Sequence, residues 1–581
     1  MAIHKFAELV KKHYVPVILI LLAIGTLLRF YRLGTIPYGP EIDEASVGYN
    51  AYVISKTLHD EWGRFLPTIF EAFGDFKNPL YIYLTSIPVK LFGLSLATTR
   101  FINALAGSLA MLTVYGISWQ VFKNRWLSLL TLGLFVFSPP AIFFSRIAGD
   151  GIMLSAFLIS AALYSELIYL NSKKLRFAVL ASSLLILSMF SYNLGRIVGP
   201  LLFCLFLLLN AFVKTKRSWL YLVFSVILLA AAGVLIYQQA QIGGADRMKY
   251  VGIFGEKKAT VLEVNEYRGE GKNTKLAKLM YNKASFYGLT LAGNYLSHFG
   301  TDFLSVIKMR SEVFESYYPP LYLVVTPFYY LGLFLLGRLF FTTKNQRQRL
   351  LLGVLLFWIL VSPLPSTITE GAPSGKRDLA ALGSFEIVSV FAFFEFLTFI
   401  KGKKLHYRAI GLTLLAVGYF VQVGIFLSFF FHDYMLHYSY NYQKRENLIA
   451  EYITAHYQGS DTFMYSEQIS GRPYIYPVFH LSLSPETLWK TREYHQIDRW
   501  NSITKVDKMK FVPAFVLESF TCDKTSTGII SLFLSQEEYM LFLSSPCARS
   551  AQASQSLLNP EARLKNRVYV ITLPYYEVPI K

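Results

Sequence analysis

Long apolar runs govern what this chain can fold into. A helix needs roughly 20 mainly apolar residues to cross about 30 Å of hydrocarbon, and about eleven such stretches recur along the first three quarters of the sequence. They fall near residues 14–32, 99–121, 127–145, 151–170, 177–192, 197–213, 218–237, 319–341, 350–367, 379–400 and 408–431. The composition agrees: 54% of the 581 residues are hydrophobic and only 16% charged, which excludes an ordinary water-soluble globule. The expected fold class is an all-α polytopic membrane protein. No small-residue cleavage site follows the first run; Arg29 and Arg32 come instead, so it reads as an uncleaved anchor.

Lysine and arginine set the expected orientation, because cytoplasmic loops are enriched in them. Basic clusters stand at Lys5, Lys11 and Lys12, at Lys123 and Arg125, at Lys173, Lys174 and Arg176, at Lys214, Lys216 and Arg217, at Lys344, Arg347 and Arg349, and at Lys401, Lys403, Lys404 and Arg408. With the N-terminus inside, all of them face the cytoplasm, provided that residues 79–92 do not cross. That stretch is short, carries Pro79, Pro88 and Lys90, and is expected to be an amphipathic helix in the outer interface. The same loops account for most of the net charge of +19, so a nucleic-acid partner loses its main support.

This topology predicts a membrane domain over 1–431, with a first outer loop at 33–98 and a second at 238–318. An extracytoplasmic α/β domain is expected over 432–581. Its signs are a helical run from Arg445 to Tyr457, an apolar segment 473–479, a strand-like segment 511–517 and an alternating pattern from Arg567 to Leu573. Of the three cysteines, Cys204 is expected to pack inside a span. Cys522 and Cys547 lie in the tail, where an oxidising exterior permits a disulfide or two free thiols.

Asp43 and Glu44 follow the first span, and two adjacent carboxylates at a membrane surface are costly unless neutralised or functional. The next outer loop brings Arg146 and Asp150 to the same face; Asp150 is equally readable as a helix N-cap and Arg146 as its partner. Arg196, which also reads as a snorkelling side chain, and Glu370, Lys376 and Arg377 add charge there. Carboxylates and guanidinium groups at one membrane face suit displacement of a lipid phosphate from a sugar. The cations stabilise the leaving phosphate, and a carboxylate takes the proton of the acceptor.

The ordered series Asp43-Glu44, Asp75-Phe-Lys77-Asn-Pro79, Arg100, Arg146 with Asp150, Tyr192 to Arg196, Asn294 to His298, and Pro365 to Arg377 resembles the GT-C glycosyltransferases of the protein O-mannosyltransferase and aminoarabinose-transferase type. The resemblance runs through about the first 430 residues. It implies an inverting transfer from a polyprenyl-phosphate sugar to a hydroxyl on protein, lipid or glycan, at the outer face of the cell membrane. Asp43 would be the general base, with Glu44 or Asp150 as neighbouring carboxylates. Arg146, Arg196, Lys77, Lys376, Arg377, His298 and Glu370 would bind donor phosphate or substrate. The resemblance would link metal binding to a glutamate preceding a Lys-Pro pair in the first loop; the corresponding stretch here, Asp75-Phe-Lys-Asn-Pro79, has no glutamate at that place, so zinc is not expected. Asp43, Glu44 and Asp150 offer oxygen ligands to a magnesium or manganese ion, without a His set, and no cofactor is firmly expected. The competing classes are a transporter or lipid flippase, and a non-catalytic envelope-assembly protein.

Overall fold

The computed structural model describes residues 14–72, 75–212, 218–244, 251–254, 258–270, 274–305, 319–433, 444–458, 462–467, 469, 474–497, 500–512, 524–544, 552–557 and 568–576. Each of the eleven apolar runs contains a helix, but six candidate spans are long and apolar enough to cross a membrane: Leu96–Phe122, Gly149–Ser172, Asn193–Asn210, Tyr221–Ile242, Gln346–Thr367 and Leu405–His432. Among the described residues the candidates are fewer than the eleven spans expected, for two physical reasons. Tyr14–Phe30, Leu175–Met189, Thr326–Thr342 and Ser384–Phe399 hold 17, 15, 17 and 16 residues. At 1.5 Å per residue they reach only about 22 to 26 Å. The run at 127–145 is not one helix: Arg125–Val136 and Pro139–Ser145 meet at 55° across the Pro139-Pro140 pair, whose rings cannot continue the first helix. Counting the bent pair gives a seventh candidate. The protein is thus a multi-pass membrane protein by helix length and composition.

The chain divides into two compact units, and the division differs from the boundary expected at 431. One unit holds Met1–Tyr31 and Ile102–Ser428; the other joins the first outer loop, Arg32–Phe101, to Phe429–Lys581. In the helical unit, Gly149–Ser172 is central, 83% of its apolar window being buried, against 17% for Leu405–His432. Asn103 caps the turn that leads into the central helix: its amide donates to the carbonyls of Ile147 and Ala148, and its oxygen accepts from the Leu154 N–H. Cys204 is exposed on its helix, so the packing role expected for it does not hold. The second long loop is largely helical, with Lys258–Glu270, Lys275–Met280 and Lys283–Ser297.

In the other unit the first loop is no loop in its middle. It forms the helix Ile42–Thr57, a hairpin of β1 (Phe70–Ala72) and β2 (Asp75–Lys77), and the helix Pro79–Phe92. The last has the extent 79–92 expected of it, with Pro79 at its start, and it is not among the candidate spans. The C-terminal part carries β3 (Thr462–Ser466), β4 (Glu493–Ile497), β5 (Trp500–Val506), β6 (Met509–Val512), β7 (Lys524–Leu534), β8 (Gln552–Leu557) and β9 (Val568–Tyr576). They form one mixed sheet in the order β4-β5-β6-β3-β7-β9-β8, with β3 parallel to both β6 and β7. The apolar segment near 475 is a short helix, Ile475–His480, and the expected helical run appears as Lys444–His456. Ala45, Tyr49 and Val53 from the first loop share one core with Ile449, Ile453, Phe463, Ile475 and Phe479. Cys522 and Cys547 lie outside the described residues.

Candidate active site

Asp43 and Glu44 sit in the first turn of Ile42–Thr57, where carboxylates complement the positive end of the helix. A capping box fixes that end, with Glu44 Oε2 accepting from the Glu41 N–H at 3.2 Å. Glu44 also takes a bidentate pair from Arg100, Nε to Oε1 at 2.7 Å and Nη2 to Oε2 at 2.6 Å, with both side chains essentially fully buried. The third arm of Arg100, Nη1, donates to the carbonyls of Leu33 and Pro37. Glu44 is therefore built into the frame. Its expected role as a catalytic carboxylate gives way to a positional one, because neither oxygen is open to an acceptor proton.

Asp43 is held differently. Its side chain is 25% exposed, and Oδ1 accepts from Lys77 Nζ at 2.6 Å, with the lysine itself 1% exposed. The β1–β2 hairpin aims Lys77: it pairs with buried Phe70 at the base of the ladder, and the helix begins two residues later at Pro79. Lys77, expected at a donor phosphate, instead fixes the orientation of Asp43. In the same unit, Glu61 is buried with Asn50 Nδ2 on Oε1 at 3.0 Å and Tyr474 OH on Oε2 at 3.2 Å; burial outweighs these donors and pushes its carboxyl up to about 7.

In the helical unit, Asp150 lies in Gly149-Asp150-Gly151, three successive residues with φ of +43°, +56° and +82°. Glycine adopts that conformation freely, but an aspartate there is strained by about 1 kcal/mol or more, a cost that concentrates at functional sites. Asp150 is 6% exposed and is not the N-cap of the following helix; Gly151 holds that place. Ser191 Oγ donates to the Gly151 carbonyl at 2.9 Å, which brings the Tyr192–Arg196 segment beside this turn. Arg196 donates through Nε to the Met189 carbonyl and through Nη2 to Gln239. Arg146 is fully buried, and its Nη1 and Nη2 donate at 2.8 and 2.6 Å to the carbonyls of Leu28 and Tyr31, the end of the first apolar helix. Both nitrogens are engaged there, so the phosphate role expected for it has a simpler counterpart in capping orphan carbonyls.

The segment 365–378 is pinned to the rest of that unit. Glu370 N–H donates to the Val251 carbonyl, and Ile253 N–H to that of Ile368. Arg377 Nη1 donates to Thr369 Oγ1 at 2.9 Å and to the Glu370 carbonyl at 2.6 Å, while the Glu370 side chain is exposed and Lys376 half-buried. His298, expected to touch substrate, is buried: Nδ1 lies 2.7 Å from the Asn294 carbonyl and must carry a proton there, and Nε2 lies 3.1 Å from Asp378 Oδ2. A second proton is needed between those two atoms. Desolvation alone lowers the imidazole pKa, but the Asp378 carboxylate outweighs it and the net shift is upward; burial raises Asp378 to about 6 despite the histidine. Asp378 was missed in the sequence, though it adjoins Arg377. Among the described residues no three of His, Cys, Asp and Glu are grouped to hold a metal ion.

This arrangement has the fold of the GT-C membrane glycosyltransferases. No protein-family model matches the chain, and no curated protein matches it. Among solved structures, it resembles the transferase ArnT of Cupriavidus metallidurans bound to undecaprenyl phosphate. That match has a TM-score of 0.50 and 13% identity, covering 95% of this chain and 97% of the other. It also matches the Archaeoglobus fulgidus oligosaccharyltransferase AglB, solved with an inhibitory peptide and a dolichol phosphate. There the TM-score is 0.46 with 14% identity, over 81% of this chain but 64% of that one, so this chain spans less than two thirds of that protein.

Proposed function

We propose that this protein is an inverting glycosyltransferase that moves a sugar from a polyprenyl-phosphate donor to a hydroxyl acceptor at the outer face of the cell membrane. The observation that carries the reading is the unequal fate of the two adjacent carboxylates. Glu44 is enclosed by Arg100, whereas Asp43 is a partly exposed carboxylate oriented by a buried lysine. A base must meet its proton donor within hydrogen-bond reach, and of the pair only Asp43 is accessible for that. In the reaction, the acceptor O–H proton passes to Asp43, the acceptor oxygen bonds to the anomeric carbon, and the bond from that carbon to the phosphate oxygen breaks. Arg196 and Arg377 are assigned to the departing phosphate, since guanidinium groups bind phosphate oxygens in pairs. Asp150, in its strained turn, is assigned as a second carboxylate of the reaction. The fold shared with ArnT supports the class of donor.

The test is transfer of radiolabel from a panel of hexosyl and pentosyl undecaprenyl phosphates in proteoliposomes, with products identified by mass spectrometry. Asp43→Asn should lower transfer by about 10²- to 10⁴-fold, the range for loss of a general base, with unchanged expression and gel-filtration profile. Transfer near the wild-type rate would remove Asp43 from the reaction. Arg377→Ala should impair use of the donor more than of the acceptor.

A further inference from the structure

Deepening the reading of Asp43 as base, we propose that Asn447 and His480, far along the chain from it, are positioning residues for that carboxylate. The helix Ile42–Thr57 begins at Glu41, and the residue before it, Pro40, has no N–H to anchor it. Its carbonyl accepts from Asn447 Nδ2 at 2.9 Å, and Asn447 is fully buried. The other end of that amide, Oδ1, faces His480 Nε2 at 3.0 Å. An amide oxygen only accepts, so His480 carries its proton on Nε2, and this in turn leaves Nδ2 of Asn447 for Pro40. Burial holds His480 neutral, its pKa lowered to about 4, so the orientation persists through the physiological range.

The same face of the helix is keyed to the C-terminal part at two more places. Tyr49 OH donates to the Leu483 carbonyl at 3.0 Å. Gly48 leaves room for the Phe479 ring, since a Cβ there would lie 2.6 Å from Cε2. Phe479 is the neighbour of His480 in the helix Ile475–His480, which packs on both Lys444–His456 and Ile42–Thr57. The C-terminal segment thereby fixes the entry and the flank of the helix whose first turn carries Asp43. Displacing a catalytic group by even about 1 Å can lower the rate by about 10²-fold.

The experiment pairs hydrogen exchange of the 41–46 amides with transfer kinetics on the full-length protein in proteoliposomes, using whichever undecaprenyl-phosphate sugar of the panel the wild type turns over. Asn447→Ala should speed exchange at 41–46 and lower kcat by about tenfold or more while KM for the donor stays within about twofold. His480→Gln, which can still donate to Asn447, should rescue most of what His480→Ala loses. Asn447→Asp keeps the size but cannot donate to Pro40, and should behave like Asn447→Ala if the latter folds poorly. Unchanged exchange at 41–46 in both Asn447 variants overturns the inference whatever Asp43→Asn does. Faster exchange with wild-type kcat overturns it as well, provided Asp43→Asn is inactive. If Asp43→Asn is active, it is the choice of base that fails, and the exchange arm still reads the contact.

Discussion

In the unit formed by residues 32–101 and 429–581, buried charge meets side-chain partners: Arg100 clasps Glu44, Lys77 holds Asp43, and Glu61 receives the neutral donors Asn50 and Tyr474. In the helical unit, three buried charged groups have other surroundings. Arg146 caps two carbonyls, Arg29 donates Nη1 to the Gly25 carbonyl and lies 5.7 Å from the Phe135 ring centre, and Glu166 makes no hydrogen bond through either oxygen among the described residues. The difference teaches where rigidity is placed. A carboxylate that must present one oxygen to an acceptor needs its neighbours over-determined, and opposite charges with several hydrogen bonds do that; helix-end carbonyls satisfy a cation without aiming anything.

The sharpest way to break this comparison is at Arg100. Arg100→Ala leaves Glu44 buried without its partner, which costs about 3–5 kcal/mol, a large part of the roughly 5–15 kcal/mol that holds a domain folded. Thermal unfolding in detergent should show a strong loss, with early proteolysis of the C-terminal segment that shares its core. Arg100→Lys keeps the charge but not the two parallel bonds, and should fall between. A melting curve superimposable on wild type for Arg100→Ala would mean that the matched charges contribute little.

A smaller effect is expected where the helical unit brings His298 to Asp378. Both pKa values are raised in the folded state, so the folded protein binds more proton than the unfolded chain. The stability from this pair is present at acid pH. It is lost as pH rises through about 6 for Asp378 and through the raised value of His298, with a slope of at most about 1.4 kcal/mol per pH unit for each proton. Protection of the 374–381 amides, corrected for intrinsic exchange, should weaken from pH 6 to 8, and Asp378→Asn should flatten the profile. An equally steep profile in that variant would assign the titration elsewhere.

These pairings mark the limit of what the sequence disclosed. The apolar runs announced their helices, and the stretch 79–92 opening on Pro79 reappears as one helix, because those signals are local. The alternation from Arg567 likewise reappears within β9. Glu44 and Arg100 are 56 positions apart, and Asn447 reaches Pro40 across 407, so nothing local could reveal either. Arg146 shows the complementary difficulty: an arginine beside an outer loop looks the same whether it awaits a phosphate or caps the preceding span. Helices of 15 to 17 residues entered the expected count of spans because composition registers their apolarity and not where each helix ends.

The smallest expected effect is the most direct contrast with Arg100. Glu166 is fully buried in the central helix Ile152–Ser172, and an acid inside a membrane bundle is costly unless something compensates it. With neither oxygen hydrogen-bonded, Glu166→Gln removes no bond and should shift stability by no more than about 0.5 kcal/mol. Glu166→Leu fills similar volume and should be neutral or stabilising by about 1 kcal/mol or more, as replacements of buried charge by apolar side chains often are. Glu44→Leu should do the opposite, because it strands the Arg100 guanidinium inside the protein. Matched melting curves of the two leucine variants decide the matter. If Glu166→Leu destabilises as much as Glu44→Leu, the helical unit also builds its buried charge into a partnered frame, and the two units differ in the identity of the partner instead of in principle.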